Sequence, residues 1–202
     1  MKTFILLADG SSDRMLLSPI QWLLGEDWTG EIADLSRLPR PPKTLPDRIK
    51  KALELQGPCD MLFVHRDAEA VAPDLRREEI FDAINECFGT PKIPCIPIVP
   101  VRMTEAWFLF NEAAIRQAAQ KPNSKSELDI PKYWDRIPDP KTILFQALCK
   151  ASGRTGRDLK KFNPQKIRHQ LAEDLADFSP LLSLPAFQTL QIDIKTALSQ
   201  PR

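Results

Sequence analysis

Three short apolar runs in this chain each give way to charged residues. Thr3 to Ala8 leads into Asp9-Gly10-Ser11-Ser12-Asp13, Met61 to Val64 into His65-Arg66-Asp67-Ala68-Glu69, and Ile96 to Val101 into Arg102-Met103-Thr104-Glu105. Runs of this kind suit strands buried on both faces, and a residue just past the carboxyl end of a parallel strand stands where open α/β sheets bind ligands. If the three strands are neighbours, Asp9, Asp67, Glu69 and Glu105 converge within reach of one hard cation. Mg²⁺ would suit them, because it takes one or two carboxylates and completes its octahedron with water and substrate phosphate. In extended backbone the spacing Asp67-x-Glu69 sends both side chains to one side. Acids after strands also cap the following helix, which by itself accounts for Asp9 or Asp13.

Basic and aromatic residues flank these acids. Arg66 and Arg102 can grip a phosphate oxygen through a planar guanidinium, or simply balance the acids. His65 is placed to transfer a proton near neutral pH, or to satisfy a backbone carbonyl. Trp107, in Glu105-Ala106-Trp107-Phe108-Leu109-Phe110, reads as core, with stacking on a base as the alternative. Arg154, Arg157, Lys160 and Lys161 form the densest basic stretch, which would either track a phosphate backbone or make up a solvated helix face.

The elements that must position these residues alternate. Strands are expected over Thr3 to Ala8, Gly30 to Leu35, Met61 to Val64 and Ile96 to Val101, the last limited by its prolines to an edge or an irregular end. Helical stripes follow at Leu16, Leu17, Ile20, Leu23 and Leu24, with Ser11 or Ser12 as cap, then at Pro46 to Gln56 and Asp74 to Phe88. Thr104 is a candidate cap for a short helix through Phe110, and another helix covers Glu112 to Gln120. The pattern predicts an α/β fold, a mainly parallel sheet with helices on both faces. Beyond a polar stretch from Pro122 to Asp129 no strand is expected. Helical patterns at Pro140 to Ala151, Pro164 to Ala176 and Pro185 to Ser199 suggest a C-terminal helical appendage, dividing the chain into an α/β domain over 1–121 and a helical region over 122–202 packed on it.

Ala8-Asp9-Gly10-Ser11-Ser12-Asp13-Arg14 resembles the first motif of Toprim domains, usually a glutamate, then glycine, a small polar pair and an acid. Phe63-Val64-His65-Arg66-Asp67-Ala68-Glu69 resembles their second, an apolar strand ending in Asp-x-Asp. With Pro97 to Leu109, the segment looks like small bacterial Toprim-like proteins related to overcoming-lysogenization-defect nucleases. The resemblance covers about half the chain. It implies a Toprim-like, Rossmann-like fold and metal-dependent phosphodiester chemistry. Asp67 and Glu69 would hold Mg²⁺ or Mn²⁺, with Asp9 as ligand or general acid/base. Asp9 is one methylene shorter than the family residue and Glu69 one longer than its counterpart. These departures either offset one another or mark a site that binds metal poorly and no longer cleaves.

The expected function is a metal-dependent nuclease or related phosphoryl-transfer enzyme acting on nucleic acid, with a setting in bacterial defence by family analogy. The alternative is a non-catalytic Toprim-like module that binds a phosphorylated ligand or a protein partner. A nucleotide-dependent phosphotransferase is disfavoured, since neither GxxxxGK[ST] nor GxGxxG occurs. With 28 basic and 27 acidic residues the net charge is near zero, which argues against indiscriminate attraction to nucleic acid or anionic membranes while leaving room for a local basic groove. Cys59, Cys87, Cys95 and Cys149 form no CxxC pair and no regular spacing with His65 or His169, so neither a zinc knuckle nor a disulfide framework is expected. No apolar run approaches a membrane span, and the short N-terminal run does not suit a signal peptide. The expected location is cytoplasmic, and the aromatic run near Trp107 would offer a homodimer interface if exposed.

Overall fold

The computed structural model describes residues 1–200. Four parallel strands, β1 (Lys2–Leu7), β2 (Trp28–Ala33), β3 (Met61–His65) and β4 (Cys95–Ile98), form one sheet in the order β2-β1-β3-β4. The α/β class expected from the alternating pattern is the one observed. Helices α1 (Leu17–Leu24), α2 (Leu45–Gln56) and α3 (Pro73–Phe88) connect the strands. They are followed by α4 (Glu112–Ala118), α5 (Pro140–Ser152), α6 (Gly156–Lys161), α7 (Pro164–Asp174) and α8 (Pro185–Ser199).

The strand pleat sorts the core into two layers. Phe4, Leu6, Met61, Phe63, Ile96 and Ile98 face one side, where they join residues of α1, α4, α5, α7 and α8. Ile5, Leu7, Leu62 and Val64 face the other and pack on Ile49 and Ala52 of α2 and Ile80, Ala83 and Ile84 of α3. Both faces are therefore covered, as a parallel sheet requires. The first layer draws residues from Phe4 to Ile194, so side chains before and after position 121 share one apolar cluster. Burial there is dense in aromatics: Trp107 is 2% exposed and meets Phe187 edge to face at 5.1 Å. Trp107, Phe108 and Leu109 are all interior, so the aromatic run offers no exposed surface for a second copy and no platform for a base.

Boundaries differ from the expected ones where local chemistry intervenes. β4 stops at Ile98, before the expected Val101, as its prolines foretold, since Pro97 and Pro100 lack the N–H that a ladder uses. β2 lies two residues earlier than expected, at Trp28–Ala33, and its Gly30 lies beneath the Phe4 ring, where an added Cβ would sit 2.0 Å from Phe4 Cζ. The segment after β1 is a 3₁₀ turn, Ser11–Leu16, before α1 begins. No serine caps it: Gly10 takes the cap position, and the Asp13 carboxylate accepts the Gly10 N–H at 3.0 Å.

Candidate strand-end site

The strand order reverses direction between β1 and β3, where successive crossovers leave in opposite directions and open a crevice at the carboxyl ends. A cleft of about 290 Å³ occupies that place, lined by Asp9, Gly10, Ser12 and Asp13 from the β1 end, Arg66, Asp67 and Glu69 from the β3 end, and Arg76 from α3. The pleat explains who meets whom. His65 shares the side of Phe63 and turns toward the layer of α1 and α7, while Arg66 shares the side of Val64 and turns toward α2 and α3.

On the first side, His65 is buried between two carboxylates. Its Nδ1 lies 3.3 Å from Asp13 Oδ2 and its Nε2 3.2 Å from Asp67 Oδ1. Thr104 completes this arrangement. Its N–H donates to Asp67 Oδ1 at 2.9 Å, and its hydroxyl lies 3.3 Å from the same oxygen and 3.1 Å from His65 Nε2. Thr104 thus orients Asp67 instead of capping a helix. Burial opposes a charged imidazole, but Asp13 and Asp67 outweigh it and raise the His65 pKa to about 10. Burial would likewise raise the Asp13 carboxyl, yet His65, the Gly10 N–H and Ser12 hold it below the ordinary value. His65 is therefore a buried cation bracing two strand-end loops, neither a neutral proton shuttle nor a ligand for a backbone carbonyl.

On the second side, acids and guanidiniums alternate. Asp9 Oδ1 lies 2.6 Å from Arg48 Nη1 of α2, and Asp9 Oδ2 lies 3.2 Å from Arg66 Nε. Arg48 also donates to the Ala8 carbonyl at 2.6 Å. Glu79 of α3 accepts from Arg66 Nη1 through Oε1 and from Arg76 Nη1 through Oε2, both at 2.7 Å. Burial is the largest single influence on the Glu79 carboxyl and pushes it up, but the two guanidiniums together hold it below the ordinary value.

Several expected residues take other places. Glu105 does not join the converging acids. It is 4% exposed and paired with Arg168 of α7 at 2.6 Å, because the 3₁₀ turn Thr104–Phe108 folds into the first core layer and carries Glu105 with it. Burial pushes its carboxyl up, with Arg168 opposing. Arg102 donates from Nη1 to the Glu69 carbonyl at 2.8 Å, so it fixes the loop beside the cleft. The expected same-side projection of Asp67 and Glu69 fails at the backbone, because Glu69 has a φ of 52°, a left-handed conformation that ends the extended alternation. Its N–H donates to the Arg102 carbonyl at 3.0 Å. Both side chains nonetheless border the cleft. Arg154, Arg157, Lys160 and Lys161 are exposed around α6 and do not line it. Arg48, Arg76 and Glu79 escaped the sequence reading because each is an ordinary charge on an amphipathic helix until the fold turns it to the strand ends.

Asp9, Asp67 and Glu69 supply only carboxylate oxygens, the donors a hard divalent cation takes. Among the described residues every hydrogen bond and ion pair of Asp67 falls on Oδ1 and none on Oδ2. Among the described residues no group of three or more His, Cys, Asp or Glu side chains is arranged to hold a metal ion. A cation of the Mg²⁺ type takes one or two carboxylates and keeps several waters, so it does not require a protein cage. All four thiols are free, and burial pushes each upward, Cys95 to about 12. Among the described residues no helix is long and apolar enough to cross a membrane. No protein-family model, curated protein or solved structure matches the chain.

Proposed function

We propose that the strand-end cleft is the site of a Mg²⁺- or Mn²⁺-dependent phosphoryl-transfer enzyme that cleaves phosphodiesters of nucleic acid. The observation that carries this reading is the meeting of four carboxylates, Asp9, Asp13, Asp67 and Glu69, with two guanidiniums, Arg66 and Arg76, in one cleft at the switch point of a parallel sheet. Asp67 and Glu69 would hold the cation, with Asp9 as a further ligand or as the base for an attacking water. Once bound, the cation would polarise a phosphoryl oxygen and lower the pKa of a bound water. Asp13 and Thr104 fix the orientation of Asp67 through His65 and directly, and Arg66 meets the anionic oxygens.

The charge balance supports such a substrate. Five acids, Asp9, Asp13, Asp67, Glu69 and Glu79, stand with four cations, His65, Arg48, Arg66 and Arg76, at or behind the cleft wall. A divalent cation turns that small negative excess into a small positive one, suited to a phosphodiester monoanion. The resemblance to Toprim nucleases supplies nucleic acid as the substrate class and bacterial defence as the setting. The exposed basic residues Arg154, Arg157, Lys160 and Lys161 are the proposed backbone contacts outside the cleft. Four free cysteines accord with a cytoplasmic location.

One observation favours a second reading, a non-catalytic module for a phosphorylated ligand: Asp9 is already neutralised by Arg48 and Arg66. The two readings separate in a titration of the purified protein with Mg²⁺ and Mn²⁺, with nicking of supercoiled plasmid and cleavage of single-stranded DNA and RNA followed in parallel. Metal-dependent cleavage that is lost in both Asp67→Asn and Glu69→Gln is expected. Neither cleavage nor metal binding by the wild type would leave the binding module.

A further inference from the structure

Glu79 of α3 holds two like charges side by side at the edge of the cleft. Arg66 and Arg76 each give one Nη1 to a separate oxygen of this carboxylate, at 2.7 Å, and both guanidiniums line the cleft. Their side chains are 24% and 18% exposed, so both are held largely out of water. In each, the Nε is buried and makes no hydrogen bond. Arg66 Nε lies 3.2 Å from Asp9 Oδ2. Each guanidinium uses only Nη1 on Glu79, and guanidinium N–H groups match the tetrahedral oxygens of a phosphate.

We infer that Arg76 and Arg66 together form a phosphate-binding arm of this cleft, with Glu79 as the positioning residue that keeps the two guanidiniums side by side. This inference rests on the reading of the cleft as a phosphoester site and names the group that recognises the anion there. The ligand chemistry is a phosphoryl group with at least two unesterified or non-bridging oxygens, one for each fork. Arg76 reaches the cleft because it lies one turn into α3, immediately after the Asp67 to Glu69 loop, and Glu79 lies three residues further on the same helical face. Arg77, the next residue, points elsewhere: its Nη2 lies 2.9 Å from Asp193 of α8. Two adjacent arginines thus divide between a ligand site and a structural tie between helices.

The test is a titration of the metal-free protein with inorganic phosphate, read as the gain in Tm over chloride at equal ionic strength and by calorimetry. It compares the wild type with Arg76→Ala, Arg76→Lys and Arg77→Ala. Wild type is expected to bind phosphate. Arg76→Ala should weaken it roughly tenfold or more, and Arg76→Lys, which keeps the charge but loses the fork, by about three- to tenfold. Arg77→Ala removes the same charge from the same helix and should leave phosphate affinity unchanged. Absence of phosphate binding by the wild type, equal affinity in Arg76→Ala, or equal losses in Arg76→Ala and Arg77→Ala would overturn the inference. The titration contains no metal and reads no cleavage, so its failure is distinguishable from failure of the nuclease reading. A protein that binds phosphate through Arg76 yet cleaves nothing keeps the arm and loses the enzyme.

Discussion

Replacing Arg168 by methionine isolates the interaction that ties the C-terminal helices to the strand-end face. Arg168 and Glu105 are 3% and 5% exposed at the side chain and meet at 2.6 Å, and the guanidinium also lies over the Phe145 ring at 5.7 Å. Methionine refills most of the volume, so the main loss is the charge partner of a buried carboxylate. Removing one member of a buried pair costs about 3–5 kcal/mol, with roughly 0.5–1 kcal/mol more from the lost cation–π contact. For a chain of this length that total corresponds to a fall in Tm of roughly 7–24 °C. The cost should depend on pH. Without Arg168, burial holds the Glu105 pKa above its unfolded value, and the neutral acid is the form the folded state tolerates. The deficit against wild type is therefore smallest below about pH 4, the unfolded range of a glutamate, and grows as pH rises through the folded pKa. The double variant Glu105→Leu with Arg168→Met, which has no buried charge, should recover most of the loss, because apolar replacements of buried pairs are often neutral or stabilising. Chemical denaturation of the wild type, both single variants and the double variant at pH 4 and pH 7.5 completes the cycle. A cost under about 1 kcal/mol for Arg168→Met, or single-variant costs that simply add in the double variant, would refute the reasoning.

Two further outcomes follow from the loops beside the cleft. The left-handed backbone at Glu69 costs on the order of 1 kcal/mol that glycine avoids. Glu69→Gly should therefore raise stability by about 0.5–1 kcal/mol in urea melts while weakening Mn²⁺ binding, and a destabilised variant would show that the side chain holds the loop together. With its pKa raised to about 10 by Asp13 and Asp67, His65 stabilises the metal-free fold fully below about pH 6.5, the unfolded value, and that contribution fades as pH climbs toward 10. Stability measured across this range should decline in wild type relative to His65→Gln, and parallel curves for the two proteins would contradict a charged His65.

Periodicity made the frame of this protein legible. Apolar runs at Phe4 to Leu7 and Met61 to Val64 suited strands buried on both faces, and the expected span of α8 matches the observed Pro185–Ser199, which a proline opens. The placement of Asp9, Arg66, Asp67 and Glu69 just past strand ends was likewise readable, since chain order alone puts them there and they all border the cleft. Two things depended on the tertiary structure. Helix charges become site residues only through packing: Arg48, Arg76 and Glu79 look like solvated positions in one dimension, and the crossing of α2 and α3 over the sheet turns them to the strand ends. The fate of Glu105 was also hidden, because its partner Arg168 lies 63 residues away on a helix whose docking site no local pattern encodes. Hydrophobic period and turn chemistry are local and act within a few residues, so the sequence by itself determined the elements and their strand-end acids. Which charges neutralise one another and which remain for a ligand is set by pairings between distant segments, and only the folded arrangement decides them.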